Sequence, residues 1–323
     1  MIGDFDQLEQ WTWPGQAYCY NNHGFDLTGF VIETITGQPY EDILRRTVFQ
    51  PAGVAARFIQ EIHPSNAVAT GHQLDADNTP VPLPWGEAKG RSSHPSGGLV
   101  ISAKDLLTIS GVLLSDRTRI SPILLSPDTI DAMWTPISGG DMVGQSHGLG
   151  WSIHETDAGR VVGHTGTNPG FKSVLTLLPA QDAALVVLAN TDDDNAVPEM
   201  EAWLLRHIFG IRQKAAVPHG TAISLGYGAD EVAGVYGENG STAWAIGREQ
   251  GELVFGRLQE PGMAIDWIGQ LEPIAPGRFR VLNGSGRFRD RAITVSQLPD
   301  AARGGEPAWF LYLGQSFHRR RDG

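Results

Sequence analysis

The stretch GRVVGHTGTNPGFKSVLTLLPAQDAALVVLAN, residues 159–190, decides the fold. It contains three runs rich in β-branched and aliphatic residues, separated by an Asn-Pro-Gly turn and a Pro-Ala-Gln-Asp turn. A further run of the same kind, SHGLGWSIHE, precedes them at residues 146–155. Because no helical pattern separates these runs, the sequence predicts strands that follow one another in an antiparallel meander.

A helix rich in apolar residues is predicted near the start of the chain. The segment HGFDLTGFVIETITGQP, residues 23–39, is dense in large apolar side chains, which indicates a helix that is largely buried in the body of the protein. Asn22 is the predicted N-cap and Gly37 the predicted stop, and Pro39 prevents the helix from continuing.

Further helices are predicted on both sides of the meander. One lies in YEDILRRTVFQPAG, residues 40–53, and others begin at Ser102, which has capping-box spacing to Asp105, and at Ser126, which is followed by Pro127. The last, AVPEMEAWLLRHIFG, is predicted to present the following residues on one side: Val197, Met200, Trp203, Leu204 and Ile208. Helices before and after the strands imply an α+β layer structure.

The pattern of the chain changes again beyond residue 213. Residues 214–228 have the composition of a linker, and residues 229–323 consist of short strand-like runs with Gly-rich turns. EQGEL and APGR resemble the tips of hairpins. The sequence therefore predicts a domain over residues 1–213, a linker over 214–228 and a small all-β, barrel-like domain over 229–323.

Composition and charge exclude several classes of protein. The 323 residues carry a net charge of -12, so a nucleic-acid partner is not expected. A single cysteine excludes an internal disulfide, and neither a metal nor a cofactor is predicted. No apolar run approaches the roughly 20 residues that cross a bilayer. The acidic first residues do not form a signal peptide, and the compartment stays open.

Three motifs occur in a defined order along the chain. They are Tyr20-Asn21-Asn22 within PGQAYCYNN, the segment SGGLVISAKDL, and His164-Thr165-Gly166 on a predicted strand. Over roughly Trp13 to Gly210 the chain resembles the serine β-lactamase-related hydrolases, a family of class C β-lactamases, D-alanyl-D-alanine peptidases, D-aminopeptidases and esterases. The resemblance implies helices packed on an antiparallel sheet, and the C-terminal region is similar in pattern to the accessory β-domains of such enzymes.

The resemblance also implies roles in acyl transfer. Tyr20 would be the general base that activates a serine and returns the proton to the leaving group. Asn22 would hydrogen-bond the acyl side chain of the substrate and hold a lysine. The backbone N–H of Thr167 would form half of the oxyanion hole.

The family resemblance also implies that the motif His164-Thr165-Gly166 binds the substrate. His164 would stand at the edge of the site beside the substrate, and Thr165 and Gly166 would line it, with Gly166 allowing close approach of the substrate backbone. Histidine in place of lysine at 164 resembles the D-peptidases and esterases more than the dedicated β-lactamases. The expected substrate is a small ester, amide or peptide.

The chain departs from the family pattern in one respect, because no Ser-x-x-Lys occurs in it. In the family this pair lies upstream of Tyr-x-Asn, so the sequence predicts a fold that is incomplete at the N-terminus and inactive alone. Three explanations stay open: a truncated enzyme, a complementing N-terminal chain, or a non-catalytic binding protein. An exposed sheet edge and apolar surface would then favour association, including a homo-oligomer.

Three other features have simpler interpretations. Cys19 could be a thiol nucleophile, although no neighbouring basic residue activates it and a packed cysteine is the default. Ser96 in PSGGL lacks the Gly-x-Ser-x-Gly of a nucleophile elbow. The acidic residues Asp192–Asp194 could suggest calcium, but a solvated loop at the end of a strand explains them without a regular ligand loop.

Overall fold

The computed structural model describes residues 18–63, 68–84, 90–139, 142, 144–211, 229–237, 243–258, 264–275, 277–284, 288, 291–300, 306–313 and 316–320. The chain divides into two compact units. The meander unit comprises Asn21–Pro136 and His147–Lys214, and the barrel unit comprises Met1–Tyr20, Ile137–Ser146 and Ala215–Gly323. The predicted linker, residues 214–228, lies outside the described residues.

Helices and short strands alternate in the first 211 residues. The helices are α1 (Asn22–Thr36), α2 (Tyr40–Leu44), α3 (Gln50–Ala52), α4 (His94–Gly97), α5 (Ala103–Asp116), α6 (Pro127–Met133) and α7 (Ala196–His207), with a π-helical turn at Arg45–Phe49 between α2 and α3. The strands are β1 (Ala56–Phe58), β2 (His72–Leu74), β3 (Pro80–Pro82), β4 (Leu99–Ile101), β5 (Ser138–Gly139), β6 (Gln145–His147), β7 (Ser152–Thr156), β8 (Gly159–Asn168), β9 (Phe171–Leu178) and β10 (Ala183–Ala189).

The predicted antiparallel meander is confirmed. Strands β7, β8, β9 and β10 pair in sequence order, each antiparallel to the next. The turn between β8 and β9 closes with the pair Asn168 and Phe171, and Gly170 adopts a φ of 74°, which favours glycine.

The sheet has a hydrophobic cluster on each face because side chains alternate along its strands. Val162 and Leu177 are fully buried against residues of α5 and α6 and the residue that follows α6, namely Leu114, Ile130 and Trp134. The neighbouring side chains Val161 and Leu178 point the other way and pack with Leu185, Leu205 and Ile211. The sheet thus lies between two helical layers, which confirms the predicted α+β architecture.

Helix α1 begins one residue earlier than predicted. Asn21, not Asn22, is the N-cap: it is extended, and its side chain accepts a hydrogen bond from the N–H of Gly24 at 3.2 Å. Asn22 is the first helical residue. Gly37, with a φ of 65°, ends the helix as predicted.

The prediction that α1 is largely buried is wrong. Only Asp26 and Gly29 are buried in this helix. Large apolar side chains on its other faces are exposed by 45–78%: Phe25, Phe30, Val31 and Ile35. A high density of apolar residues indicates that a helix can pack against other elements. It does not show which faces of the helix other parts of the same chain bury.

The predicted face of α7 is also wrong in part. Val197 and Leu205 are buried, whereas Met200, Trp203 and Ile208 are exposed by 49%, 52% and 62%. The side of α7 that packs on the sheet also carries an acidic side chain: Glu201 is partly buried and accepts a hydrogen bond from the hydroxyl of Thr176 in β9. Burial raises the pKa of Glu201. A charged residue on that side of the helix obscured the correct face in the sequence.

The other predicted caps are confirmed. Ser102 accepts from the N–H of Asp105 at 3.0 Å, and Ser126 accepts from the N–H of Thr129 at 3.2 Å. No helix in the described part of the chain is long and apolar enough to cross a membrane.

The predicted barrel-like domain is confirmed. After the short helix α8 (Ala229–Val232), eight strands pair antiparallel in sequence order: β11 (Gly234–Tyr236), β12 (Ala243–Glu249), β13 (Glu252–Leu258), β14 (Asp266–Ala275), β15 (Arg278–Leu282), β16 (Ala292–Asp300), β17 (Glu306–Leu313) and β18 (Ser316–Arg319). A bridge between Tyr236 and Arg320 brings the start of this sheet next to its end, so the sheet curls on itself.

The interior of the barrel is filled with side chains. One cluster of buried apolar residues includes Trp244, Phe255, Phe279, Trp309 and Leu311. The predicted hairpin tips are present, because Glu249 pairs with Glu252 and Ala275 pairs with Arg278. The barrel is therefore a packed core.

The contact between α1 and α4 gives a stability test. A Cβ on Gly29 would lie 2.2 Å from Cγ of Pro95, so Gly29→Ala is expected to destabilise the protein by roughly 1–3 kcal/mol through overpacking. Gly111, within α5, has no atom within 4 Å of the same position, so Gly111→Ala is expected to stabilise it by roughly 0.5–1 kcal/mol. Urea unfolding measures both. Equal changes in the two variants would contradict the described packing.

Candidate functional site

The Tyr-x-Asn motif lies where irregular chain enters α1. Tyr20 is the last residue of this segment of the barrel unit and is half-buried. Burial raises the pKa of its phenol above the ordinary value. Asn22 is exposed and occupies the first turn of α1, and the capping function belongs to Asn21. Burial at Tyr20 thus favours the neutral phenol over the phenolate.

The His-Thr-Gly motif lies on β8, as predicted. Pairing between β7 and β8 ends at Ser152 and Gly163, while pairing between β8 and β9 continues to Asn168 and Phe171. In the described ladders, residues 164–168 consequently pair on one edge only. The other edge presents alternating backbone N–H and C=O groups, the arrangement to which an extended peptide or acyl group can hydrogen-bond.

Side chains along this part of β8 alternate in exposure. Thr165 and Thr167 are exposed, while His164 and Gly166 are partly buried. The Nδ1–H of His164 donates to the carbonyl of Thr165. A Cβ on Gly166 would lie 2.3 Å from Oγ of Ser173, so the Ser173 hydroxyl occupies the space that a side chain at position 166 would fill.

A cavity of about 1220 Å³ borders the motif. His164, Thr165 and Gly166 line it together with the α4 segment and parts of β1, β4, α5, β9 and β10. Its walls are mainly apolar, with Leu44, Ile59, Leu99, Leu106, Phe171 and Leu188 among them. The residues that line it do not include Tyr20, Asn22 or Thr167.

Two contacts connect α1 to β8 within the meander unit. Gly29 of α1 packs directly on Pro95 of α4. The side-chain amide of Asn168, at the end of β8, donates to the carbonyl of Gly97 in α4 at 3.1 Å. Helix α4 is thus a spacer between the helix that follows Tyr-x-Asn and the strand that carries His-Thr-Gly.

A buried polar cluster holds α4 in place. His94 is 5% exposed, stacks on Phe58 with ring centroids 4.8 Å apart, and contacts Glu41 and Gln60 through its two ring nitrogens. Arg91 donates to Glu41 at 2.7 Å and also to Glu33 of α1. The hydrogen bond from Arg91 lowers the pKa of Glu33.

No pattern in the sequence indicates this cluster. Its members are far apart in the sequence, and nothing in their local patterns marks them as partners. The only signals were His94 at the start of the HPSGG segment and Glu41 beside the aromatic residue Tyr40.

Lys172 is a further residue at the cavity that the three motifs do not include, although the local sequence determines its position on β9. The Asn-Pro-Gly turn fixes the register of the hairpin, and Lys172 then lies directly opposite Thr167. It lines the cavity, and its ammonium pairs with Asp194.

The three simpler features can now be located. Ser96 lines the cavity and donates to the carbonyl of Ser93 at 3.3 Å. Cys19 is exposed. Asp192 accepts from the N–H of Leu74 at 2.9 Å, and in the described part of the chain no group of three or more His, Cys, Asp or Glu is arranged to hold a metal ion.

Sequence comparison identifies relatives. The sequence model of the family described as Beta-lactamase matches residues 1–208. Penicillin-binding protein 4 of Amycolatopsis lactamdurans is 26% identical over 187 residues, which is 55% of this chain and 48% of that protein. Unguisins hydrolase ungD' of Aspergillus campestris is 27% identical over 193 residues, 55% of this chain and 34% of that protein. The chain thus spans half or less of the length of these curated relatives.

Comparison of folds extends over nearly the whole chain. The structure of SurE superposes on this chain with a TM-score of 0.65 at 23% sequence identity. The superposition covers 98% of this chain and 71% of the SurE chain. The octameric penicillin-binding protein homologue from Pyrococcus abyssi superposes with a TM-score of 0.54 at 21% identity, over 96% of this chain and 66% of its own. The same succession of a mixed helical and antiparallel sheet region and a β-rich region therefore occurs in solved structures.

The protonation of Tyr20 can be measured directly. Because burial raises its pKa, the absorbance change at alkaline pH that is lost in Tyr20→Phe should titrate above the ordinary value of about 10. Ultraviolet difference titration of the two proteins isolates this residue from the five other tyrosines of the chain. The unfolded proteins in guanidinium are the control. A component that titrates at or below the unfolded value would contradict the described burial.

Proposed function

The chain belongs to the β-lactamase family, and we propose that it forms the main part of a serine hydrolase that cleaves ester or amide bonds through an acyl-enzyme. One observation carries the proposal. His164, Thr165 and Gly166 lie on a part of β8 that pairs, in the described ladders, with β9 alone, and they border a large cavity. The names of the relatives, a penicillin-binding protein and an unguisins hydrolase, agree with such a role.

The strand edge suits an extended acyl substrate. A substrate that lies along residues 164–168 would hydrogen-bond to the backbone of β8, and Gly166 would let it approach closely. The N–H of Thr167 would donate to the oxyanion that forms in the transition state. Histidine in place of lysine at 164 resembles the D-peptidases and esterases more than the dedicated β-lactamases, so a dedicated penicillin-resistance role is disfavoured.

We infer that the nucleophile comes from a segment outside these 323 residues, since they contain no Ser-x-x-Lys. Two features support this inference. The cavity beside β8 has apolar walls of the kind that pack against a helix, and α1 exposes apolar side chains.

The proposed reaction has two stages. The phenolate of Tyr20 removes the hydroxyl proton of the serine while the serine oxygen forms a bond to the acyl carbon. The bond from the acyl carbon to the leaving oxygen or nitrogen breaks, and the leaving group takes the proton from Tyr20. In the second stage Tyr20 takes a proton from water while the water oxygen bonds to the acyl carbon. The bond from the acyl carbon to the serine oxygen then breaks, and the serine oxygen takes the proton back from Tyr20. Asn22 would orient the acyl side chain and the lysine.

A second function stays open. The exposed apolar faces of α1 and α7 favour association with another protein chain, either a complementing chain that carries the nucleophile or a further copy of this one. The Pyrococcus abyssi homologue is octameric, which supports a homo-oligomer here as well. In the binding alternative, the cavity holds a partner or ligand and no acyl transfer occurs.

The decisive experiment begins with the DNA upstream of Met1. An in-frame Ser-x-x-Lys is expected there, and the protein extended by those codons is expected to cleave p-nitrophenyl esters of short acids. Tyr20→Phe should lower kcat/KM by about a hundredfold or more, the range typical of a general base. Cys19→Ser, a change in the adjacent residue, is the matched control and should keep full activity.

Three outcomes would contradict parts of the proposal. Full activity in Tyr20→Phe would remove Tyr20 from the role of base. Loss of activity in Cys19→Ser would favour the thiol as the nucleophile. A stop codon immediately upstream of Met1 would favour the binding or two-chain alternatives.

A further inference from the structure

We propose that His94 is a positioning residue that sets which acyl groups the candidate site accepts. It does so by holding helix α4, which forms part of the cavity wall, at a fixed place beside strand β8. This role rests on the proposed function and adds to it a determinant of substrate size. All the residues involved lie in the meander unit.

Helix α4 and the second half of β8 line the same cavity. All of α4 (His94–Gly97) lines it, and so do residues 164–166 of β8. The two elements also touch, because the side-chain amide of Asn168 donates to the carbonyl of Gly97 at 3.1 Å. A movement of α4 would therefore change the shape of the cavity directly beside the His-Thr-Gly motif.

Helix α4 cannot keep this place by itself. It has only four residues, and an isolated helix of that length is not stable in water, because nucleation costs more than so few hydrogen bonds contribute. Its position therefore depends on side chains that connect it to other elements. Pro95 packs against Gly29 of α1, and His94 supplies buried polar contacts.

His94 connects α4 to two other elements at once. Its Nδ1 contacts Oε1 of Glu41 in α2, and its Nε2 contacts Oε1 of Gln60 in the 3₁₀ turn Ile59–Glu61. The ring is 5% exposed and stacks on Phe58. Contacts at both nitrogens and on one ring face fix the orientation of the imidazole. Because His94 is the first residue of α4, they also fix where the helix starts.

The carboxylate of Glu41 strengthens this connection. Glu41 is 6% exposed, and Arg91 donates to its other oxygen at 2.7 Å. Burial acts to raise the pKa of Glu41, but hydrogen bonds, among them those from Arg91 and His94, outweigh it, so the pKa lies below its ordinary value. An ionised acceptor makes the hydrogen bond from the imidazole stronger. Without His94, a buried carboxylate oxygen would lose this donor, and the surrounding elements would have to rearrange.

The consequence for catalysis is a change in selectivity. While α4 is held, the cavity beside β8 has one shape, which favours acyl groups of one size. Once α4 is released, this part of the wall can move outward, so a long acyl chain gains room and a short one loses contacts. The rate with short acyl esters should then fall relative to the rate with long ones.

The selectivity can be measured in the N-terminally extended protein as the ratio of kcat/KM for p-nitrophenyl acetate to kcat/KM for p-nitrophenyl octanoate. This ratio does not depend on the amount of active enzyme, so partial unfolding alone does not alter it. His94→Leu keeps an apolar side chain beside Phe58 but removes both polar contacts, and it should lower the ratio by about tenfold. His94→Asn places an amide N–H where Nδ1 lies, so it still donates to Glu41 and should keep the ratio within about twofold.

Asp116→Asn is the matched control. Asp116 is likewise buried in the meander unit, where it accepts from the N–H groups of Ile123 and Leu124 at 2.8 and 2.7 Å, and it does not line the cavity. The substitution should lower the melting temperature and leave the ratio unchanged. An equal shift of the ratio in Asp116→Asn and His94→Leu, or an unchanged ratio in His94→Leu, would overturn the proposal.

Hydrogen exchange tests the anchoring of α4 without an activity measurement. In the 323-residue chain the N–H of Gly98 donates to the carbonyl of His94 at 3.2 Å, and the N–H of Ile59 donates to the carbonyl of Gly98 at 2.9 Å. Both amides should exchange about tenfold faster in His94→Leu than in the wild-type protein, while the amides of β9 keep their rates. Unchanged exchange at Gly98 and Ile59 overturns the proposal. Faster exchange there, together with an extended protein that has no esterase activity, contradicts the proposed function and not the anchoring of α4 by His94.

Discussion

Strand β8 pairs with two neighbours along its first half and with one along its second, and the organisation of the meander unit depends on this difference. The first half carries Val161 and Val162, which point to opposite faces and hold the two helical layers. The second half, residues 164–168, keeps an edge that the described ladders leave without a strand partner. One strand thus supplies both the centre of the core and the backbone edge of the candidate site. A shift of its register by one residue would exchange the two faces and remove both.

Local chemistry made a large part of the fold predictable. The Asn-Pro-Gly turn, Gly37, Ser102 and Ser126 each act through the backbone of their own neighbours, and the structure confirms all of them. The meander and the barrel follow from turns of this kind between β-rich runs. His164 to Gly166 lie on a strand for the same reason.

Features that depend on distant partners could not be predicted. The exposed faces of α1 and α7 are set by which residues pack on them, and the partly buried carboxylate of Glu201 depends on a hydrogen bond from Thr176 of β9. The contacts of His94 with Glu41 and Gln60 join segments that are remote in the sequence. The cap at Asn21 instead of Asn22 is a one-residue error, which is common where two adjacent residues have the same capping ability.

The identity of the acylated residue tests most directly whether this chain provides the base and strand for a nucleophile that it does not contain. The 323-residue chain and the N-terminally extended protein are each treated with a p-nitrophenyl ester, and the site of any acyl group is determined by mass spectrometry of peptides. We expect no acylation at Cys19 or Ser96 in the shorter chain, and an acyl group on the serine of Ser-x-x-Lys in the extended protein. A stable acyl group on Cys19 or Ser96 in the 323-residue chain would contradict the assignment, because the nucleophile would then lie within these residues.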